Sequence, residues 1–392
     1  MPKSNLRLNQ HITQIKEEGA FAVSDRAAHL ASKGHDVINL GIGQPDFLPP
    51  KHILLAAQKA AIDGPHGYTS PTGLPILKEA VASNLTERYK ASIHPDQIVI
   101  VPGGKVTIFF ATMLMGGKGN EILYPDPGFP PYYEAIVSSG AKPVGYGINE
   151  QSDFGFKAQD ILSLITDKTS LIILNSPANP TGGIVPRAEL KKLADGLANF
   201  PHVSVLSDEI YGQLVFDPSD FTSMLEFEHL ANRTIVLDGW SKTFAMTGWR
   251  LGYGVWPQHL VEHVRKLITV DHSCVNGIAQ MAGLAAVNGP MDEIDGFVKS
   301  FHQRRDLIVK GLNALPNITC KTPKGAFYAF PNITKTGISS ETFAHRLLEE
   351  AHIATISGNA FGKNGKGYLR ISYAASQQDL TNALTRLENF LI

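Results

Sequence analysis

Short apolar runs alternate with longer amphipathic segments through the middle of the chain, and this alternation constrains the fold most. Residues 170–174 (Ser-Leu-Ile-Ile-Leu) are almost continuously apolar and precede a helical pattern at 187–199. Further strands are predicted at 97–101, 121–124, 203–206 and 234–237, and further helices at 106–115 and 131–139. Apolar strands separated by helices are typical of a mostly parallel sheet covered on both faces. The pattern therefore predicts an α/β fold.

The pattern changes near residue 289. A long charged helix, two short strands and a C-terminal helix are predicted at 291–312, 326–330, 368–372 and 377–391. A chain of 392 residues also exceeds one ordinary hydrophobic core. We therefore expect a large domain over residues 48–288, and a second, smaller α+β domain formed by residues 1–47 and 289–392.

Charge and hydropathy exclude several functional classes. The formal net charge is -1, so bulk charge favours neither nucleic acid nor an anionic membrane as a partner. The polar N-terminus lacks the apolar stretch of a signal peptide, and the apolar run 108–115 is too short to span a bilayer. Cys274 and Cys320 cannot form a disulfide framework. We expect a cytoplasmic protein without a membrane partner.

The segments that follow the predicted strands are rich in polar and turn-forming residues. They are 103–105, 126–129, 175–182, 207–211 and 238–243. Ligands of open α/β sheets bind outside the carboxyl ends of the strands, so these segments are where a site is expected. No metal-binding spacing and no complete nucleotide-binding glycine motif is present, since Asp46 replaces the third glycine after Gly41 and Gly43.

Residues 241–252 (Ser-Lys-Thr-Phe-Ala-Met-Thr-Gly-Trp-Arg-Leu-Gly) resemble the cofactor-lysine signature of class I aminotransferases, which are fold-type I pyridoxal-phosphate enzymes. Further matches to this family, in its order, are 41–47, 68–73, 179–182 and 368–373. The resemblance implies pyridoxal 5'-phosphate as cofactor, amino acids and 2-oxo acids as substrates, and a homodimer with shared active sites.

Lys242 is the residue that the resemblance assigns to a Schiff base with the cofactor. Lysine is the side chain that can both form an imine and later move a proton. Asp208 would keep the pyridine nitrogen protonated, although its position after a strand also suits a helix N-cap. Asn179 and Tyr211 would bind the phenolic oxygen, with an Asx turn and a core tyrosine as the alternatives.

The cofactor phosphate would be held by a guanidinium and by backbone amides. Arg250 offers paired donors in a planar fork, and Ser241 could add a hydroxyl. The amides of Gly103, Gly104 and Lys105 precede a predicted helix, whose N-terminus favours anions, although two glycines also suit an ordinary turn.

The remaining assignments concern the ring, the substrate and the neighbouring subunit. Phe129 would stack on the cofactor ring, or else be a plain core aromatic. Arg370, assisted by Gly43, would clamp the substrate α-carboxylate, whereas a charge at a strand edge is the alternative. Tyr68 resembles the tyrosine that reaches the phosphate of the partner subunit; a surface tyrosine is its alternative.

Two positions depart from the family pattern. Phe129 stands where aspartate-specific members commonly carry Trp, and Gly239 where many members carry Ser. Lys105 occupies a place where some bacterial aspartate aminotransferases have a lysine that binds the distal carboxylate of the substrate. The apolar surroundings expected from Phe21, Phe327 and Tyr328 instead favour a role for the backbone amide of Lys105 alone. We expect a broad enzyme with glutamate and 2-oxoglutarate as one pair.

Two other functions stay open at this point. The same cofactor supports β-elimination or cyclopropane synthesis, and the lysine, aspartate and arginine do not discriminate between these reactions. A non-catalytic ligand sensor on this fold would need a fused DNA-binding domain, for which we expect no room because the predicted fold begins near the N-terminus.

Overall fold

A computed structural model describes residues 12–15, 19–216 and 221–392. Its helices are α1 (Gly19–Ser32), α2 (Lys51–Asp63), α3 (Pro75–Tyr89), α4 (Lys105–Met115), α5 (Pro131–Ser138), α6 (Ala158–Leu162), α7 (Arg187–Gly196), α8 (Val261–Asp271), α9 (Gly277–Asn288), α10 (Asp292–Ala314), α11 (Ser340–Ala351) and α12 (Gln377–Leu391). Its strands are β1 (Ile38–Asn39), β2 (Ile98–Val101), β3 (Glu121–Asp126), β4 (Lys142–Gly147), β5 (Thr169–Asn175), β6 (Ser204–Asp208), β7 (Thr234–Gly239), β8 (Gly252–Val255), β9 (Tyr328–Ala329), β10 (Ile353–Ala354), β11 (Ile356–Ser357) and β12 (Leu369–Ser372).

A seven-stranded sheet in the order β2-β8-β7-β6-β5-β3-β4 forms the centre of the molecule. The pairs among β3, β4, β5, β6 and β7 are parallel, whereas β8 runs antiparallel to both of its neighbours. The predicted mostly parallel sheet is therefore confirmed. Strand β8 was not predicted from the sequence, because Gly252 and Gly254 interrupt the apolar pattern that identifies a strand.

Consecutive residues of β5 point into two separate cores. Leu171 and Ile173 pack in one cluster with helices α4, α5 and α8, while Ile172 and Leu174 pack in the other with α2, α3, α7 and α9. Successive side chains of a strand point to opposite faces, so a sheet with helices on both faces needs apolar residues throughout each central strand. This geometry is the physical reason for the continuous apolar run at 170–174.

The C-terminal part of the chain forms its own core beside the sheet. Strands β11, β12 and β9 make an antiparallel sheet, and β1 from the N-terminal part pairs with β10, with Ile38 opposite Ile353. Phe301 and Ile308 of α10 pack in this second core, whereas Ile294 of the same helix packs against the large sheet. The exact domain boundaries stay a prediction, and residues 1–11 and 16–18 of the predicted small domain lie outside the described residues.

None of the helices within residues 12–15, 19–216 and 221–392 is long and apolar enough to cross a bilayer.

Candidate active site

A cavity of about 430 Å³ opens at the carboxyl ends of β5, β6 and β7, where strand β9 and Arg370 of β12 meet the large sheet. Ligands of α/β sheets bind at this edge. All of the residues predicted for the site except Gly103 and Tyr68 line the cavity. They are Gly43, Gly104, Lys105, Phe129, Asn179, Asp208, Tyr211, Ser241, Lys242, Arg250 and Arg370.

Asp208 is the last residue of β6 and is only 4% exposed. Its Oδ2 accepts a hydrogen bond from the Tyr132 hydroxyl at 2.7 Å, and its Oδ1 accepts one from the Ile210 amide at 3.2 Å. Burial raises the pKa of this carboxyl to about 6, and the two hydrogen bonds limit the rise. The residues that follow form a turn and no helix, so Asp208 is not a helix N-cap.

Lys242 projects into the same cavity from the turn after β7. Its ammonium donates to the carbonyl oxygen of Gly43 at 2.5 Å and lies 5.9 Å from the ring centroid of Phe327. A partly buried amine that faces a buried carboxyl across one cavity has the two ionisable groups that an imine-forming cofactor requires.

Arg250 and the turn before α4 form a cradle for an anion. The guanidinium donates to the carbonyl oxygens of Thr247 at 2.8 Å and Pro102 at 3.5 Å, and no carboxylate of the described residues is within ion-pair distance. A Cβ atom added to Gly103, whose φ is +92°, would lie 2.2 Å from Arg250 Nη2. The glycine therefore lets the backbone at the start of α4 approach the guanidinium closely.

Gly239 belongs to a group of interlocked glycines behind this cradle. A Cβ atom on Gly239 would lie 2.7 Å from the Cα atom of Gly252, and one on Gly252 would lie 2.6 Å from the amide nitrogen of Gly104. The close packing of these three backbones gives a steric reason for glycine where many family members carry Ser.

Arg370 is 2% exposed and faces the cavity from β12. Its Nη1 donates to Asn179 Oδ1 at 3.1 Å, its Nη2 donates to the carbonyl oxygen of Gly41, and its buried Nε has no partner in the described residues. A buried guanidinium is costly without a compensating anion. The arrangement therefore suits a carboxylate ligand, and the alternative of an exposed strand-edge charge does not fit.

Two tyrosines that sequence reasoning did not assign hydrogen-bonding roles complete the site. Tyr132 is fully buried and donates to Asp208; it lies in the first turn of α5, three residues after Phe129. Tyr328, considered only as apolar surround, places its hydroxyl 2.8 Å from that of Tyr211. A hydroxyl within a short buried strand gives no distinctive sequence signal.

The side chain of Lys105 extends to the cavity wall. Its ammonium lies 5.2 Å from the ring centroid of Phe129 and 5.8 Å from that of Phe21. Phe129 in turn packs edge-on against Tyr132, with ring centroids 5.6 Å apart. Two aromatic faces beside one ammonium make this wall able to contact both acidic and apolar side chains.

Tyr68 is not part of the cavity of its own chain. The side chain is 93% exposed, in the loop between α2 and α3. Its predicted role in a partner subunit stays a prediction.

The donors and acceptors of the cavity fit pyridoxal phosphate. The glycine cradle with Arg250 suits a phosphate, the buried Asp208 suits a pyridinium nitrogen, and the unpartnered Nε of Arg370 suits a substrate carboxylate. Together with the α/β fold, these groups are the ones that an enzyme with a lysine-held cofactor and a carboxylate-binding arginine would require.

Comparison with known proteins narrows this class to one family. The family model described as aminotransferase class I and II matches residues 35–387. An aspartate aminotransferase of Pyrococcus horikoshii is 38% identical over 92% of this chain and 92% of its own length. The chain belongs to the class I and II aminotransferase family, whose members are pyridoxal-phosphate-dependent transaminases.

Two solved structures show that the similarity extends over the whole fold. The aspartate aminotransferase of Rhizobium meliloti superposes with a TM-score of 0.94 at 34% identity, covering 99% of both chains. The aromatic aminotransferase of Pyrococcus horikoshii gives a TM-score of 0.88 at 35% identity, covering 94% of this chain and 98% of its own. The predicted fold-type I architecture is thereby confirmed.

Proposed function

We propose that the protein moves an amino group between an L-amino acid and a 2-oxo acid by a ping-pong cycle, with glutamate and 2-oxoglutarate as one pair and Lys242 as the Schiff-base residue. One observation carries this proposal. A single cavity contains an amine, a buried acid and two guanidinium groups, Arg250 and Arg370, that have no acidic partner among the described residues.

Pyridoxal phosphate, when bound, supplies an aldehyde for Schiff-base formation and a ring that withdraws electrons from the substrate Cα. Asp208 supports this withdrawal by stabilising a positive charge on the ring nitrogen, which is why its ionised form matters. Lys242, which lines the cavity, would hold the cofactor through its amine and would also move the proton at the substrate Cα.

Arg370 determines how the substrate is oriented. Its paired donors bind the α-carboxylate, and its contact with Asn179 Oδ1 holds the guanidinium plane in place. A fixed carboxylate would restrict the orientation of the Cα–H bond and so would favour proton removal over loss of carbon dioxide.

The assembly that we propose is a homodimer with shared active sites. The exposed Tyr68 supports it, because a tyrosine that is 93% exposed on one protomer is available to the phosphate site of its partner. The cytoplasmic location also stays a prediction.

The substrate range that we propose is broad. Phe21 and Phe129 place apolar faces beside Lys105, which suits neutral and aromatic side chains. Solved relatives are named for aspartate and for aromatic substrates, in keeping with a wall that contacts both kinds of side chain.

The test of the proposed reaction is a coupled assay on the purified holoenzyme. Formation of glutamate from 2-oxoglutarate and a second amino acid is expected, with Lys242→Ala reducing turnover by orders of magnitude. Pyruvate and ammonia without glutamate would instead identify an elimination reaction, and near wild-type turnover by Lys242→Ala would refute the assignment.

The role of Lys105 is tested separately by Lys105→Ala with glutamate and with phenylalanine as donors. If the ammonium binds a distal carboxylate, kcat/KM should fall about tenfold or more for glutamate alone, because a charged hydrogen bond is lost. Equal small losses with both donors would restrict Lys105 to a contribution from its backbone amide.

A further inference from the structure

Tyr328 lies where three parts of the candidate site meet. It belongs to β9, is 1% exposed and lines the cavity. Its hydroxyl is 2.8 Å from that of Tyr211, which follows β6 of the large sheet. A buried tyrosine hydroxyl normally has a hydrogen-bonding partner, and here Tyr211, one such partner, is itself a predicted cofactor ligand.

The surroundings of Tyr328 hold its hydroxyl in one place. A Cβ atom on Gly43 would lie 2.1 Å from that hydroxyl, so the backbone at Gly43 packs directly against it. The carbonyl oxygen of Gly43 accepts the hydrogen bond of Lys242. The Arg370 guanidinium lies 4.7 Å from the centroid of the Tyr328 ring. The side chain of Tyr328 is therefore packed against both the backbone of Gly43 and the guanidinium of Arg370.

The hydrogen bond between the two tyrosines acquires a fixed direction once Tyr211 has a ligand. Each hydroxyl has a single hydrogen to donate. If Tyr211 donates its hydrogen to the phenolic oxygen of the cofactor, only Tyr328 can donate in the pair. A hydroxyl that accepts a hydrogen bond becomes a stronger donor, because the bonds of a chain polarise one another.

We propose that Tyr328 is a positioning residue whose hydroxyl donates to Tyr211 and thereby strengthens the hydrogen bond of Tyr211 to the phenolic oxygen of pyridoxal phosphate. This inference rests on the proposed function. It adds a residue from the C-terminal part of the chain to the residues that control the protonation of the Lys242 imine. Stronger hydrogen bonding to the phenolic oxygen stabilises its negative charge, so the imine proton is lost more easily.

The measurement is a pH titration of the absorbance of the bound cofactor in the holoenzyme. Tyr211→Phe should raise the apparent pKa of the absorbance change, corresponding to about a tenfold or larger change in the ionisation constant, because it removes a hydrogen bond to a charged oxygen. Tyr328→Phe should also raise the apparent pKa, but by an amount that corresponds to only about a two- to fourfold change in the ionisation constant, since cooperative strengthening is roughly 10–30% of such a bond.

A double-variant cycle and a matched control complete the test. Tyr328→Phe should have no further effect in the Tyr211→Phe background, since the hydroxyl it acts through is gone. Tyr373→Phe also removes a buried hydroxyl of the C-terminal core, one that donates to the Ala326 carbonyl at 3.3 Å outside the cavity, and should leave the titration unchanged.

The outcomes separate this inference from the function on which it rests. A wild-type protein without cofactor absorbance would refute the proposed function, and the role of Tyr328 with it. A titrating wild type in which Tyr328→Phe causes no shift, or shifts both backgrounds equally, would overturn the role of Tyr328 alone.

Discussion

Asp208→Asn is expected to stabilise the protein stripped of cofactor while abolishing most of its turnover. The carboxyl is buried, and burial raises its pKa from the ordinary 3.8 to about 6. A raised pKa means that the folded protein favours the neutral acid. The contribution of this carboxyl to the free energy of unfolding is therefore fully present below about pH 3.8 and is lost as the pH rises through 6. At about 1.4 kcal/mol for each tenfold change in the ionisation constant, the ionised carboxylate costs roughly 3 kcal/mol near pH 8.

The assay is equilibrium urea unfolding of wild type and Asp208→Asn at one protein concentration, between pH 4 and pH 8. Asparagine is neutral throughout, so its advantage should be small near pH 4 and grow to about 1–3 kcal/mol at pH 8, reduced by any hydrogen bond that the amide makes less well. With pyridoxal phosphate bound, wild type should be more stable than Asp208→Asn, because a neutral amide cannot stabilise a pyridinium.

Asp238→Asn is the matched control. Its carboxyl is 6% exposed at the end of β7, burial raises its pKa to about 6 as well, and it does not line the cavity. This variant should show the same pH-dependent gain in stability while retaining turnover. An Asp208→Asn protein that is no more stable at pH 8 than at pH 4, relative to wild type, would contradict the argument from burial.

Arg370→Lys should raise the apparent KM for amino acids and for 2-oxo acids alike by about tenfold or more, since an ammonium cannot reproduce the paired donors of the guanidinium; steady-state kinetics with unchanged KM for both would remove Arg370 from the substrate site. Gly103→Ala should weaken pyridoxal-phosphate binding by about tenfold or more, because the new methyl group displaces Arg250. Gly117→Ala is its control, since that φ is also positive, at +106°, but nothing lies within 4 Å of the added carbon. Both glycine variants should lose about 1–3 kcal/mol of stability because of the strained backbone alone. If fluorescence titration gives Gly103→Ala and Gly117→Ala the same affinity for the cofactor, Gly103 and Arg250 do not form a phosphate site.

Strands β2, β3, β5, β6 and β7 of the central sheet could be predicted from the sequence because their residues are mostly buried on both faces, whereas β4, whose residues are mostly exposed or half-buried, was not predicted. Ile172 and Leu174 serve one core and Leu171 and Ile173 the other, so the local pattern and the tertiary requirement coincide. Strand β8 could not be predicted in this way. Gly252 is selected there by the close approach of Gly104, a contact between residues far apart in the chain.

Some residues of the candidate site could likewise be predicted from the sequence, whereas others were identified only from the structure. Lys242, Asp208 and Arg370 stand in recognisable runs directly after or within strands, and the fold brings them to one cavity. The contacts of Tyr132 with Asp208 and of Tyr328 with Tyr211 join segments that are 76 and 117 residues apart. Such pairs depend on side-chain directions that no local pattern records, so only the folded structure identified them.

The most direct test of the account is to locate the cofactor linkage chemically. Reduction of the holoenzyme with borohydride converts a Schiff base into a stable amine, which digestion and mass spectrometry can then assign to one peptide. A single phosphopyridoxyl group is expected, on the peptide that contains Lys242. A label on Lys105 or any other lysine, or a holoenzyme that carries no label after reduction, would contradict it.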